Sequence, residues 1–219
     1  MKFEYFKLLF AVALCMTALM PLGADIQQSH SSDSTRSTSD APFYFPPDLP
    51  MSSFFSQYLG FVGEPSLLET SKNTSVVSYR LSWLGGQTGR VVAVRLIVNS
   101  DGGGEVISEV VSGSPSVVRK GSNVVSASDI QRFLQLVEDG KFWSLRSTEQ
   151  SRGHELDGTF WIVEGVRNGS YRCVYRRSPD EKPSQFSEIG RYLAKDLAKL
   201  DDSTIDIRRL TSIPRSGKK

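Results

Sequence analysis

The sequence predicts an α+β domain, with an antiparallel five-stranded sheet in the order βββ-α-ββ-α and two helices on one face. Three observations predict this fold. Residues 75–111 alternate apolar and polar side chains between glycine-rich turns, as the strands of an antiparallel meander do. An Asn-Gly pair at 168 and 169 joins two more alternating segments. Two segments with apolar residues at helical spacing follow the third and fifth strands.

The first three strands are separated by glycine turns at 85–89 and 101–104. The first strand has the clearest alternation, with Val77, Tyr79, Leu81 and Trp83 set against Ser78, Arg80 and Ser82. The second, residues 90–99, is rich in Val and Ile, and the third runs from Glu105 to Val111. Residues 113–121 contain Gly, Ser and Pro, and we expect a loop there.

Each predicted helix begins at a serine that can accept a hydrogen bond from the backbone of the first turn. Ser126 precedes the first helix, which Gly140 ends. Ser184 precedes the second. Each helix has one apolar stripe, formed by Ile130, Phe133, Leu134 and Val137 in the first and by Phe186, Ile189, Leu193, Leu197 and Leu200 in the second.

The two-residue loop Asn168-Gly169 favours a type I′ turn, which fixes the register of the last two strands. Counting outward from Arg167 opposite Ser170 assigns each side chain to one of two faces. One face carries the pairs Val166 and Tyr171, Glu164 and Cys173, Ile162 and Tyr175, and Phe160 and Arg177; the other carries Gly165 and Arg172, Val163 and Val174, and Trp161 and Arg176.

The first 24 residues of the chain predict export. Residues 1–24 have two lysines, an apolar run and a small-residue end, the pattern of a signal peptide, and the run is too short for a spanning helix. We therefore expect a periplasmic or extracellular protein with no integral membrane segment in the mature chain.

Three further segments flank the predicted domain of residues 75–200. Residues 25–45 are predicted to be a disordered leader, and residues 201–219 a flexible basic tail. Residues 46–74, which we call the strap, are rich in aromatic residues and proline. The strap is expected to lie across the domain, and a contact with a partner or a membrane surface is the alternative.

Composition and motifs exclude several functions. A net charge of +2 gives no field that would recruit nucleic acid. His154 and Glu155 begin a zinc-protease motif, but the second metal-binding histidine is replaced by Gly158, so we predict no metal and no cofactor. After removal of the signal peptide, Cys173 is the one remaining cysteine, so no internal disulfide can form.

The hypothesis for function is a non-enzymatic binding or interaction domain, whose partner is an unknown protein or envelope component. Its candidate binding residues are Trp161, Arg172 and Arg176, on the sheet face that we expect to be exposed, because Trp and Arg are enriched at binding hot spots. The alternative is a wet sheet face on which arginine stems cover one aromatic ring.

A second hypothesis is a small hydrolase or acid-base enzyme that uses Glu164 with His154 or Asp157. Glu164 lies among apolar residues, and burial of a carboxylate perturbs its pKa as active sites often do. In the alternative structural role, Glu164 pairs with an arginine or a tyrosine hydroxyl on a neighbouring strand.

Several short motifs together resemble a family of small uncharacterised domains, a domain of unknown function, in exported bacterial proteins. The motifs are Phe142-Trp143-Ser144-Leu145, Asp157-Gly158-Thr159-Phe160-Trp161, Glu164-Gly165, Asn168-Gly169-Ser170-Tyr171-Arg172 and Arg177-Ser178-Pro179. The resemblance covers about residues 90–200. It implies an α+β domain in the envelope or outside the cell, and it implies no activity and no catalytic residue.

Overall fold

The computed structural model describes residues 44–85, 89–112, 117–149, 159–177, 184–201 and 203–205. These residues belong to one compact unit, residues 41–219. The predicted signal peptide, nearly all of the predicted leader and most of the predicted tail lie outside the described residues.

The described residues form one antiparallel sheet of six strands in the order β4-β3-β2-β1-β5-β6. The α+β class is as expected, but the predicted count of five strands is wrong, because a strand occupies most of the expected loop at 113–121. The strands are β1 Val77–Gly85, β2 Val91–Val98, β3 Gly104–Ser112, β4 Val117–Val125, β5 Thr159–Arg167 and β6 Ser170–Arg177.

β4 escaped prediction because its centre is polar. It is an edge strand that pairs with β3 alone, so its side chains need not follow the alternation of a buried strand. Gly121, which suggested a loop, lies opposite Ser108, and a Cβ atom at this position would be 3.0 Å from the Ser108 hydroxyl oxygen.

The helices begin where the capping residues predicted. Ser126 accepts a hydrogen bond from the backbone of Asp129, and Ser184 accepts one from the backbone of Ser187. Gly140 is the C-cap of the helix that follows Ser126. The helical elements are α1 Ser52–Val62, α2 Leu67–Thr70, α3 Ala127–Asp139, a 3-10 turn at Phe142–Ser144, α4 Gln185–Arg191 and a π-helix at Tyr192–Leu197.

One face of the sheet packs against α3, α4 and the π-helix, and we call it the helix face. Its core is almost entirely apolar and aromatic. Gly190 of α4 lies so close to the sheet that a Cβ atom there would be 2.6 Å from the Trp161 ring. The sheet contributes Tyr79, Leu81, Trp83, Val92, Val94, Leu96, Val106, Val110, Val125, Trp161, Val163 and Val174 to this core.

The opposite face is covered by the strap and by the two residues before it, and we call it the strap face. The two helices predicted for one face, α3 and α4, both pack on the helix face, but α1, which is not one of the two predicted helices, lies on the strap face. Its buried cluster joins Tyr44, Phe45, Leu49, Phe55, Tyr58, Leu59 and Val62 to Val91, Ala93, Ile162 and Cys173 of the sheet. The Tyr58 hydroxyl donates to the carbonyl of Glu109, 3.0 Å away, which ties α1 to β3.

The predicted hairpin register is confirmed at every pair from Arg167 and Ser170 to Phe160 and Arg177. Asn168 and Gly169 have φ angles of 52° and 75°, the left-handed values that a type I′ turn needs at both positions. The side-chain assignment to two faces is therefore right, and the structure shows that both faces are covered.

Candidate functional site

A row of charged side chains crosses the middle of the strap face. Arg80 of β1 lies opposite Glu164 of β5 on one side and opposite Arg95 of β2 on the other. Paired residues of neighbouring antiparallel strands point to the same face, so the row follows directly from the strand order. The strap adds Glu64, which follows α1 and is 4% exposed.

Arg80 is the centre of this row and is completely buried. Its Nε donates to Glu164 Oε2 over 2.7 Å, and its Nη2 lies 2.6 Å from the same oxygen. Its Nη1 donates to the carbonyl of Pro65 in the strap over 2.7 Å. Glu64 Oε2 lies 3.4 Å from Arg80 Nη1 and accepts from Arg95 Nε over 2.8 Å. Two strands and the strap thus meet at one guanidinium group.

Glu164 is also completely buried, and both of its oxygens have partners. Oε2 pairs with Arg80, and Oε1 accepts a hydrogen bond from the Tyr171 hydroxyl over 3.0 Å. Burial raises the pKa of the Glu164 carboxyl, and the Arg80 charge opposes that rise. The structural role considered for Glu164, an arginine and a tyrosine partner on neighbouring strands, is the one that its contacts show.

This row joins elements that are far apart in the sequence, and its chemistry is that of a buried ion network, in which Arg80 Nη2 contacts Glu164 as an ion pair without hydrogen-bond geometry. Burial lowers the pKa of Arg80, but the neighbouring carboxylates of Glu164 and Glu64 outweigh that effect, so the pKa is raised overall. The guanidinium group therefore keeps its charge. The polar groups of this row contact the strands and the strap. The row therefore gives the described residues an internal tie between the strap and the sheet.

The expectation that the face carrying Trp161 is exposed is wrong. Trp161 is completely buried on the helix face, where its ring centroid lies 6.4 Å from that of Phe186. Its indole Nε1 donates to the Thr159 hydroxyl over 3.1 Å. α4 covers this part of the sheet, so Trp161 is a core residue.

Arg176, the second candidate, is 6% exposed and likewise packs against α4. Its guanidinium carbon lies 5.4 Å from the centroid of the Phe186 ring, and its Nε is 2.8 Å from Glu149 Oε1. Burial lowers the pKa of Arg176, and Glu149 opposes that change. The guanidinium group lies over an aromatic ring, but the ring belongs to α4 and not to the sheet.

Arg172, the third candidate, is half-buried near the start of β6 and lines a cleft. The cleft has a volume of about 200 Å³ and lies between the first residues of the strap, the segment after the 3-10 turn and β6. Its lining consists of Pro46, Asp48, Leu49, Ser147, Thr148, Tyr171, Arg172 and Cys173. Of the three predicted binding residues, Arg172 alone lies at an opening of the described surface.

The cleft lies at a free edge of the sheet. Among the described residues β6 pairs with β5 alone, and the backbone groups of an antiparallel strand point alternately to the two sides. The N–H of Tyr175 points outward and donates to the carbonyl of Ser147 over 2.7 Å, so the outward residues of β6 are the odd-numbered ones. Within the described part of the chain, the outward backbone groups of Tyr171 and Cys173 have no backbone partner.

The cleft is smaller than ordinary small-molecule sites, which measure about 300–1,000 Å³. The Cys173 side chain is buried, and burial raises the pKa of its thiol, which leaves little reactive thiolate. His154 and Asp157, which the acid-base hypothesis needs, lie outside the described residues. The polar groups that the cleft offers are backbone groups of an edge strand and one arginine.

Sequence reasoning missed the Arg80 row because its partners meet only after β1 has been placed beside β5. The available signal was a lone glutamate, Glu164, among the apolar residues of one predicted strand, with a lone arginine, Arg80, in the middle of another. The cleft depends on the strap and had no signal in the sequence.

The described residues lack two features that would bear on function. No cluster of three or more metal-binding side chains occurs in them. None of the helices in the described segments has the length and apolar character to cross a membrane.

Comparison with known proteins gives no further constraint. No protein-family model matches the chain, and no curated protein is similar to it in sequence.

Proposed function

We propose that this protein is an exported, non-enzymatic interaction domain that binds an extended segment of a partner protein along the outer edge of β6. The observation that supports it most directly is the cleft beside the outward backbone groups of Tyr171 and Cys173, for which the described residues supply no backbone partner. A peptide in extended conformation supplies the alternating donors and acceptors that such an edge needs.

The size of the cleft favours a short contact. A volume of about 200 Å³ accommodates one or two side chains of a peptide. The rest of the peptide would bind through hydrogen bonds between its backbone and the backbone of β6. Arg172 at the cleft favours a partner side chain or chain terminus with a carboxylate, because the guanidinium fork matches that group. Asp48 on the opposite side disfavours a long acidic run.

Both faces of the sheet are covered in the described structure, which favours an edge over a face as the binding surface. The enzyme alternative receives no support from Glu164, because a carboxylate with both oxygens paired beneath the strap does not reach a substrate. The export part rests on the N-terminal pattern of the sequence, and it predicts a mature chain that begins at Asp25.

The cleft can be blocked without disturbing the core. Thr148→Trp places a large side chain in the cleft lining, and Arg146→Trp places the same side chain at an exposed position two residues away, as a matched control. Peptides are first selected on the native protein from a displayed library of random heptapeptides, and a selected peptide is then used as the probe. We expect its dissociation constant to rise at least tenfold for Thr148→Trp and to change less than twofold for Arg146→Trp.

Amide chemical shifts identify the binding edge independently. The selected peptide is expected to shift the amide signals of Tyr171 and Cys173 more than those of the inward-bonded Arg172 and Val174. A library that yields no peptide, or a peptide that binds both tryptophan variants equally, would falsify the proposal.

A further inference from the structure

The other edge of the sheet is β4, and three of its properties point to a particular occupant. In the part of the chain that the structure describes, β4 pairs with β3 alone, and its residues from 118 to 124 are exposed. It is nine residues long, whereas proteins usually keep exposed edge strands short or interrupt them.

The first property is the direction of its backbone groups. The N–H of Asn99 donates to the carbonyl of Gly103, which identifies this pair as hydrogen-bonded and starts the alternation through β3. It follows that the odd-numbered residues of β4 bond to β3 and the even-numbered ones point outward. The outward residues are Val118, Lys120, Ser122 and Val124.

The second property is the order of residues along β4. The strand reads VVRKGSNVV, which is nearly the same pattern in both directions about Gly121. Two copies related by a two-fold axis at Gly121 therefore place Val118 opposite Val124 of the second copy. In this register Lys120 lies opposite Ser122 of the second copy, and every outward group meets another outward group.

The third property is the distribution of exposed apolar side chains. Among the described residues, the large hydrophobic side chains that remain exposed are Phe61 at 63%, Val118 at 36% and Val124 at 92%. Two of them are on β4, and Phe61 is adjacent to Val62, whose carbonyl accepts a hydrogen bond from Lys120 Nζ. All three therefore lie at or near one edge, on the side of the strap.

From these properties we propose that β4 pairs antiparallel with β4 of a second copy of this chain, with the two-fold axis at Gly121. The pairing joins two six-stranded sheets into one continuous sheet and forms about eight hydrogen bonds between the chains, two for each hydrogen-bonded pair. The interface is isologous, so the same residues contribute from both copies.

The charges of β4 disfavour the neighbouring register centred on residue 120. Moving the axis to residue 120 would place Lys120 against the same lysine of the second copy, and like charges directly opposite destabilise a strand pair. Lys120 forms an ion pair with Glu109 of its own chain, at 2.6 Å. In the proposed register it lies opposite Ser122 of the second copy, which has no charge. Gly121 at the axis lies in a non-hydrogen-bonded pair, where the two backbones approach most closely.

The inference is tested with a proline at an outward position. Ser122→Pro removes an N–H that β3 does not use, so the single chain keeps its fold while the second copy loses a partner and meets the proline ring. Ser122→Ala keeps the N–H and is the matched control. Sedimentation equilibrium of the purified full chain is expected to show a dimer for the native protein and for Ser122→Ala, and at least a hundredfold higher dissociation constant for Ser122→Pro.

Val124→Lys provides a second variant that does not touch the backbone, and we expect it to dissociate the dimer as well. Hydrogen exchange adds a test of the register: the amides of Val118, Lys120, Ser122 and Val124 should gain protection as the protein concentration rises, while those of Arg119 and Asn123 stay protected throughout. A native protein that is monomeric up to millimolar concentration, or a Ser122→Pro variant that dimerises like Ser122→Ala, would overturn the inference.

Discussion

The two faces of the sheet are buried in different ways. The helix face is covered by α3, α4 and the π-helix over an apolar and aromatic core. The strap face is covered by an irregular segment and α1, and its centre holds the ion network of Arg80, Glu164 and Glu64. Apolar packing favours burial without specifying one arrangement, whereas an ion network is stable only with every partner in place. The strap is therefore positioned by specific ionic contacts as well as by the burial of apolar surface.

The largest test of this difference removes the centre of the network. Arg80→Met leaves the Glu164 carboxylate buried with the Tyr171 hydroxyl as its one side-chain partner, and we expect a loss of about 3–5 kcal/mol in the free energy of unfolding, measured with urea. Arg191→Met is the control, and its cost should be much smaller because the partners of Arg191, Glu188 and Asp196, are 45% and 43% exposed.

The double variant Arg80→Met with Glu164→Leu removes both charges of the central pair. We expect it to recover most of the loss, because apolar residues of similar volume can replace a buried ion pair at little cost. If the double variant is as unstable as Arg80→Met alone, packing and not the unpaired charge would account for the loss.

A smaller effect is expected on the helix face at high pH. Burial raises the pKa of Tyr79 from 10.0 to about 12. The folded protein then keeps the hydroxyl proton between pH 10 and 12, while the unfolded chain releases it, so the unfolded state binds fewer protons and stability falls as pH rises. The native protein should lose about 2–3 kcal/mol relative to Tyr79→Phe across this range.

The measurement is the difference in urea unfolding free energy between the native protein and Tyr79→Phe at several pH values from 8 upward. A difference that stays constant up to pH 12 would show that Tyr79 ionises no less easily in the folded protein than in the unfolded chain.

The smallest effect concerns how the covering helices begin. Ser126 caps α3 with its side chain, whereas α1 in the strap begins at Met51 without a side-chain cap. Ser126→Ala should cost about 1 kcal/mol in the free energy of unfolding. Ser144→Ala, which removes an exposed hydroxyl at the 3-10 turn, is the control and should cost less than half as much. Equal costs would mean that the cap does not contribute as a cap.

The parts of the fold that sequence reasoning predicted depend on local chemistry. The register of β5 and β6 follows from two left-handed residues at Asn168 and Gly169, and the starts of α3 and α4 follow from the hydroxyls of Ser126 and Ser184. Each of these features is decided by side chains within a few residues of one another.

The parts that it missed depend on distant contacts. Alternation shows which side chains share a face but not what covers that face. Arg172 and Arg176 suggested that their face is exposed to solvent, but α4 covers Trp161 there and packs against Arg176. The partner of Glu164 is 84 residues away in sequence, on a strand whose position beside β5 no local pattern determines. β4 was missed because a polar edge strand has no buried face to impose a pattern.

The contacts of the strap also set an order of events during synthesis. Phe55 and its neighbours are made early, yet they pack against Ile162 and Cys173, which leave the ribosome more than a hundred residues later. The strap, which is translated before the sheet, can thus complete its docking only after the hairpin of β5 and β6 has formed. Such long-range contacts form slowly. Until then the aromatic residues of the strap are exposed, and chaperones can bind them.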